Sequence, residues 1–312
     1  MFPWLDRKGR FSWLRAATFA ALAAPAAVLL GRAALGGPLG DLGADPVEEL
    51  IDETGTWGIR ILILALAVSP LRRLLDWPQL ATLRRLVGLA AFFYLLAHFL
   101  LYASSQALDP LKIAGEIVAR VYLTIGFAAL LALGLLAATS TDAMIKRLGG
   151  ARWRQLHRLV YLAAILAILH AWMQTRLQDY VEPLIEAGLL AWLYALRWLV
   201  PRRGVVGIGR TLLLSAGAAL LTALGEALYI HLWLGAPLQA VLAANLEGDA
   251  GLRPAWVVLG ATAALTAAAG ARRLSREDGS RSRGRRGAGG GLPPTAAGGR
   301  RELPAGCRAG GR

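Results

Sequence analysis

Long apolar runs, broken by short clusters of charge, set the pattern of this chain. Eight runs can be marked, at approximately 13–34, 57–75, 85–103, 117–138, 154–174, 181–200, 211–233 and 254–271. Each approaches the roughly twenty apolar residues with which an α-helix crosses a hydrocarbon core about 30 Å thick. A soluble domain of 312 residues would show alternating or amphipathic periodicity instead. The pattern predicts an all-α fold, a polytopic transmembrane bundle of about eight helices.

Charge assigns the runs a direction. Arg7, Lys8, Arg10 and Arg15 precede the first run, and Arg72, Arg73, Arg84 and Arg85 separate the second from the third. Lys146, Arg147, Arg152 and Arg154 lie between the fourth and fifth, and Arg197, Arg202, Arg203 and Arg210 between the sixth and seventh. The intervening loops are acidic, with Asp41, Asp45, Glu48, Glu49, Asp52 and Glu53, then Asp109 and Glu116, Asp179 and Glu182, Glu247 and Asp249. Basic loops stay in the cytoplasm, so both termini are expected there. The opening MFPWLDRKGRFSWLR is basic and leads into an apolar run, as a signal peptide would. No convincing cleavage site precedes the acidic loop, and the run is read as a retained helix.

Composition narrows the classes further. The net charge of +14 lies at helix ends and in the segment after Ala271, which is orientation signal and tail rather than a nucleic-acid face. From residue 272 to 312 Gly, Arg, Pro and Ser dominate and a disordered basic tail is expected. Its charge suits contact with anionic membrane lipid, but a solubilising tail is the better reading; its GAGGG run lacks the flanking strand and helix of a phosphate loop. The single cysteine, Cys307, excludes a disulfide framework, covalent haem attachment through CxxCH and a thiolate iron–sulfur site.

Four histidines, His98, His157, His170 and His231, fall within or at the ends of apolar runs. Ionisable groups are costly in a bilayer and face the bundle interior. For His231 a bond to a neighbouring helix is sufficient explanation. The third and fifth runs are parallel, and at 1.5 Å per residue His98 and His170 both lie about 20 Å or more along them. Two neutral imidazoles at matched depth on facing helices are what a six-coordinate b-type haem requires. His157 lies about 20 Å from His170 towards the cytoplasm, and Arg84, at the corresponding level below His98, cannot ligate iron. An inner haem would therefore need a helix irregularity, or a partner such as His231 or a non-histidine group. The alternative is that His157, with Arg154 and Arg158, binds a haem propionate, a flavin phosphate or a quinone head.

The segments ETGTWGIRILILALAVSPLRRL, LRRLVGLAAFFYLLAHFLLY and WRQLHRLVYLAAILAILHAWM closely resemble the haem-binding membrane subunit of the periplasmic methionine-sulfoxide reductase system, the MsrQ or YedZ family. That family belongs to the ferric-reductase-like transmembrane superfamily, shared with NADPH oxidases. The resemblance covers residues 1–201 and implies a haem-binding core there; the two additional helices expected over 202–271 and the tail extend beyond it. His98, His157 and His170 fall on the family's histidines. It further implies one or two b haems, with FMN as a candidate second cofactor. It implies a bacterial inner-membrane protein that passes electrons to a periplasmic molybdopterin-containing methionine-sulfoxide reductase, drawing them from a cytosolic flavin reductase or the quinol pool. The substrate chemistry, on this reading, belongs to the partner, and the chain is not itself an enzyme.

The residues agree with that frame. No GxGxxG follows a strand, no HPFT-like flavin motif is present, and no large soluble domain exists to bind a nicotinamide. Arg84, Arg85, Arg154 and Arg158 are candidates to neutralise haem propionates, as well as topology determinants. Arg60 suits an acidic group or an outer propionate, and Glu226 a helix cap or a pairing with Arg210 or Arg253. Trp57, Trp77, Trp153, Trp172, Trp192 and Trp198 are read as interfacial, and Gly58, Gly88, Gly126 and Gly134 as points of close helix approach. Two competing readings remain: a stand-alone ferric or quinone oxidoreductase, and a non-redox bundle with packed histidines. The absent cofactor motifs weigh against the first, the matched depth of His98 and His170 against the second.

Overall fold

The structure, a computed structural model, describes residues 3–5, 9–35, 42–175, 179–199, 207–247 and 251–288, with side chains as far as Ser275. Arg7, Lys8, Asp41, Arg202, Arg203, Asp249 and Cys307 lie outside the described residues. Two units are distinguished, Met1–Gly270 and Ala271–Arg312. The helices of the first are α1 (Trp13–Leu35), α2 (Pro46–Leu74), α3 (Arg84–Ser105), α4 (Pro110–Ala119), α5 (Val121–Ala138), α6 (Asp142–Leu148), α7 (Gly150–Leu156), α8 (Leu159–Gln174), α9 (Val181–Leu199), α10 (Ile208–Leu234) and α11 (Leu238–Ala244). The last helix, α12, spans Pro254–Ala288. This last helix runs on into the segment expected as a tail, as far as Ala288.

Local chemistry explains where the observed helices depart from the apolar runs. The second run was placed from 57, yet α2 begins at Pro46. Asp45 caps it, its carboxylate accepting the N–H groups of Val47 and Glu48, with proline at the first helical position. Asp109 and Pro110 start α4 in the same way. The fourth run, expected as one helix from 117, is cut at Arg120, which is extended (φ −116°, ψ 111°) and pairs with Glu116 at 2.6 Å. The fifth run is broken between α7 and α8 at His157 and Arg158, where Arg158 N–H turns to Gln155 O.

Seven described helices are long and apolar enough to cross a membrane, and the chain is a multi-pass membrane protein. The sixth expected span, α9, matches its neighbours in length at 19 residues but carries Glu182, Glu186 and Arg197. It packs against α10, α2 and α8. Trp192 on α9, read above as interfacial, is 1% exposed and belongs to the core. The indole sits mid-helix, where the packing face overrides any end preference.

Two hairpins form the most extensive interfaces, α2 against α3 and α5 against α8. Ala91 on α3 and Ala163 and Ala164 on α8 are fully buried, and such small residues let helices approach closely. Leu64, Phe93, Leu131 and Leu162 remain exposed on the outer faces, where lipid is as apolar as they are. Gly188 on α9 does the same work for α10 and α12: a Cβ there would collide with Thr222 and come within 2.8 Å of Val258.

Candidate functional site

The two histidine helices turn their rings onto their hairpin partners. His98 on α3 donates Nδ1–H to the carbonyl of Ile51 on α2 at 2.8 Å. His170 on α8 donates Nδ1–H to the carbonyl of Tyr122 on α5, also at 2.8 Å. A carbonyl only accepts, so each neutral ring carries its proton on Nδ1 and keeps a lone pair on Nε2. The ring centres lie 6.1 Å apart, with the planes crossing at 81°. Both rings line one pocket, otherwise mainly apolar, with Leu95, Phe99, Phe127 and Ala167 among its walls and Tyr102, Tyr122 and Gln174 as its polar members.

This donor set tests which group could bind. Among the described residues no cluster of three or more His, Cys, Asp or Glu could hold a metal ion. A bare ion needs about three or four protein ligands. Two imidazoles suit a metal that brings its own equatorial ligands, as haem iron does. His98 and His170, with ring centres 6.1 Å apart on one pocket, would hold such a group through Nε2. The residues present fit a b haem.

His157 has a different setting. Its ring stacks on Trp153, with centres 3.8 Å apart and planes 28° from parallel. Nδ1 lies 3.1 Å from Trp153 O and Nε2 3.4 Å from Ser140 Oγ, so both nitrogens already face oxygen atoms. A helix irregularity, one of the conditions named above for an inner haem, is present here between α7 and α8. His231, at the last turn of α10, bonds Ala236 O at 2.9 Å within its own chain turn.

The arginines separate in the same way. Arg84 lies about 21 Å along α3 from His98 and lines a cavity of about 260 Å³ with Ser69, Pro70, Arg72, Arg73 and Arg197. Arg85 pairs with Asp142 at 3.2 Å. Arg154 and Arg158 flank His157 in sequence and are exposed. None of the four is brought to the His98–His170 pocket. Arg60 meets an acidic group, Glu182, at 2.6 Å. Glu226, fully buried, is held by Arg253 at 3.1 Å, Asn245 at 2.9 Å and Tyr180 at 3.3 Å.

The sequence reading had no means of naming the carbonyls of Ile51 and Tyr122, and it passed over Gly55. One signal was available: Arg85-Leu-Val-Gly-Leu-Ala-Ala recurs as Arg158-Leu-Val-Tyr-Leu-Ala-Ala, each followed by a deep histidine. The repeat places the two hairpins in equivalent roles.

Comparison with known proteins bears on the same segments. Residues 54–168 match the family described as ferric reductase like transmembrane component. The chain is 49% identical over 163 residues to the protein-methionine-sulfoxide reductase heme-binding subunit MsrQ of Rhodospirillum rubrum, covering 52% of this chain and 77% of that protein. The protein of the same description from Ralstonia nicotianae is 43% identical over 173 residues, covering 54% and 80%. That of Deinococcus radiodurans is 39% identical over 193 residues, covering 62% and 93%. No solved structure matches.

Proposed function

Because the chain belongs to the MsrQ family of haem-binding subunits of protein-methionine-sulfoxide reductase, we propose that it conducts single electrons across the bacterial inner membrane to a molybdopterin-containing catalytic subunit in the periplasm. It is a membrane electron-transfer subunit of a methionine-sulfoxide reductase system. The finer reading is carried by one observation, the pair His98 and His170 with ring centres 6.1 Å apart and each Nδ1 committed to a carbonyl. When bound there, b haem supplies a one-electron carrier inside the hydrocarbon.

The chain's own residues do the rest. Ile51 and Tyr122 carbonyls fix both ring tautomers and make each Nε2 a better donor to metal. Leu95, Phe99, Phe127 and Ala167 wall the site with apolar surface and keep water from it. The positive charge of the loops supports a cytoplasmic side for the arginine-lined cavity. Arg72, Arg84 and Arg197 there suit an anionic group of the donor, whether a cytosolic flavin reductase with its FMN or a quinol. Electrons leave at the periplasmic end beside α4. Two electrons and two protons then convert each methionine sulfoxide to methionine and water in the partner.

The test is the optical spectrum and haem-to-protein ratio of the purified wild type beside His98→Ala and His170→Ala. The expected outcome is one low-spin b haem in the wild type and less than a tenth of it in each variant, a loss of the order seen when a ligand or its support is removed. A colourless wild type from haem-replete cells, or variants with the wild-type spectrum, would overturn the reading. A stand-alone oxidoreductase is distinguished by reduction of a soluble acceptor at full rate without the periplasmic partner.

A further inference from the structure

We propose that Gly55 and Gly126 are positioning residues, each leaving open the helix carbonyl that holds one histidine ring in its metal-binding tautomer; this rests on the reading of His98 and His170 as the iron ligands. The same arrangement is built twice. On α2 the acceptor is Ile51 and the glycine is Gly55; on α5 the acceptor is Tyr122 and the glycine is Gly126. In each case the glycine follows the acceptor by four residues, one helical turn.

That offset has a physical cause. In an α-helix every Cα–Cβ bond tilts towards the N-terminus, so the Cβ of residue i+4 overhangs the carbonyl of residue i. The carbonyl already accepts the N–H of residue i+4 and has a second lone pair for a side chain; at Ile51 the Thr54 hydroxyl also lies at 3.0 Å, although its shorter bond, 2.6 Å, goes to Leu50 O. At both positions the imidazole, whose donor nitrogen is part of the ring itself, lies where the Cβ of residue i+4 would stand. A Cβ on Gly126 would lie 2.6 Å from His170 Nδ1 and 2.9 Å from its Cγ. A Cβ on Gly55 would lie 2.9 Å from His98 Nδ1 and 3.1 Å from its Cε1. Both separations demand that the ring move off its carbonyl.

The two cradles are equivalent in sequence as well. Gly55 precedes His98 by 43 residues and Gly126 precedes His170 by 44, and the Arg-Leu-Val-x-Leu-Ala-Ala repeat lies inside both intervals. Other helical glycines lack the feature. Gly88 has nothing within 4 Å of a Cβ, and Gly134 only Phe92 at an ordinary 3.5 Å.

The experiment compares Gly126→Ala and Gly55→Ala with Gly88→Ala and Gly134→Ala as controls, reading haem content, spin state and midpoint potential. Gly126→Ala is expected to lose about 10- to 100-fold in haem affinity, the range for supports of a metal ligand. Gly55→Ala, the less crowded, is expected to keep more haem, with part of it high-spin and at a higher potential because the ring has lost the bond that made it a stronger donor. Both controls should match the wild type. If Gly126→Ala does not fold, as judged by gel filtration of haem-free protein, Gly55→Ala decides. Wild-type content, spectrum and potential in the folded glycine variants, with His98→Ala and His170→Ala bleached, would sink the cradle and leave the ligand assignment standing. Wild-type spectra in the histidine variants would sink both.

Discussion

The two ends of the α2–α3 and α5–α8 hairpins carry histidine in opposite ways. At one end His98 and His170 spend a single nitrogen each on a backbone carbonyl, in apolar surroundings, and keep Nε2 for a ligand. At the other end His157 lies on Trp153 with both nitrogens facing oxygen, and a separate cavity is lined by Arg72, Arg73, Arg84 and Arg197. The first suits a metal that arrives with its own ring of ligands. The second suits anions and the transfer of charge in from water. Depth paired His98 with His170 and left His157 without a histidine partner; the hydrogen bonds separate the two ends further.

The largest effect that would sharpen this comparison lies away from both ends. Arg253→Ala strips the cation from fully buried Glu226 and is expected to cost about 3–5 kcal/mol of stability. Thermal unfolding in detergent should show the loss while the haem spectrum of the folded fraction is unchanged. A bleached spectrum would mean that the haem end depends on α10 and α12.

A smaller effect is expected at the arginine cavity. Replacing Arg72, Arg84 and Arg197 together by Gln should slow haem reduction by an anionic donor about tenfold at low salt, and less as ionic strength rises and screens the charges. An unchanged rate at low salt would remove the cavity from the route of uptake. Smallest of all is His157→Ala. Loss of the stack on Trp153 should cost about 0.5–1.5 kcal/mol and leave haem content at the wild-type ratio. A drop to half the wild-type haem would break the comparison outright, because it would give the second end a haem of its own.

Much of the architecture was legible in the sequence. Runs of apolar residues and alternating loop charge suffice to mark membrane helices, because lipid tolerates little else. Their limits were less legible. The start of α2 at Pro46 depends on the cap at Asp45, and the cut at Arg120 is a local change of backbone, φ −116° and ψ 111°, that apolar periodicity does not register. Trp192 was misread because hydropathy does not tell a lipid-facing position from a core one.

The sequence by itself determined that this chain crosses a membrane several times and carries His98 and His170 at equal depth. Helical rise is constant, so depth follows from counting residues. It also carried the family resemblance, in the residues around those histidines. Only the tertiary structure decided that the two rings meet, that Ile51 and Tyr122 hold them, and that His157 and the arginines stand apart. Those facts depend on which faces of different helices pack together and on backbone atoms that every residue shares. A carbonyl has no letter in the sequence; the glycine one turn along is its only trace.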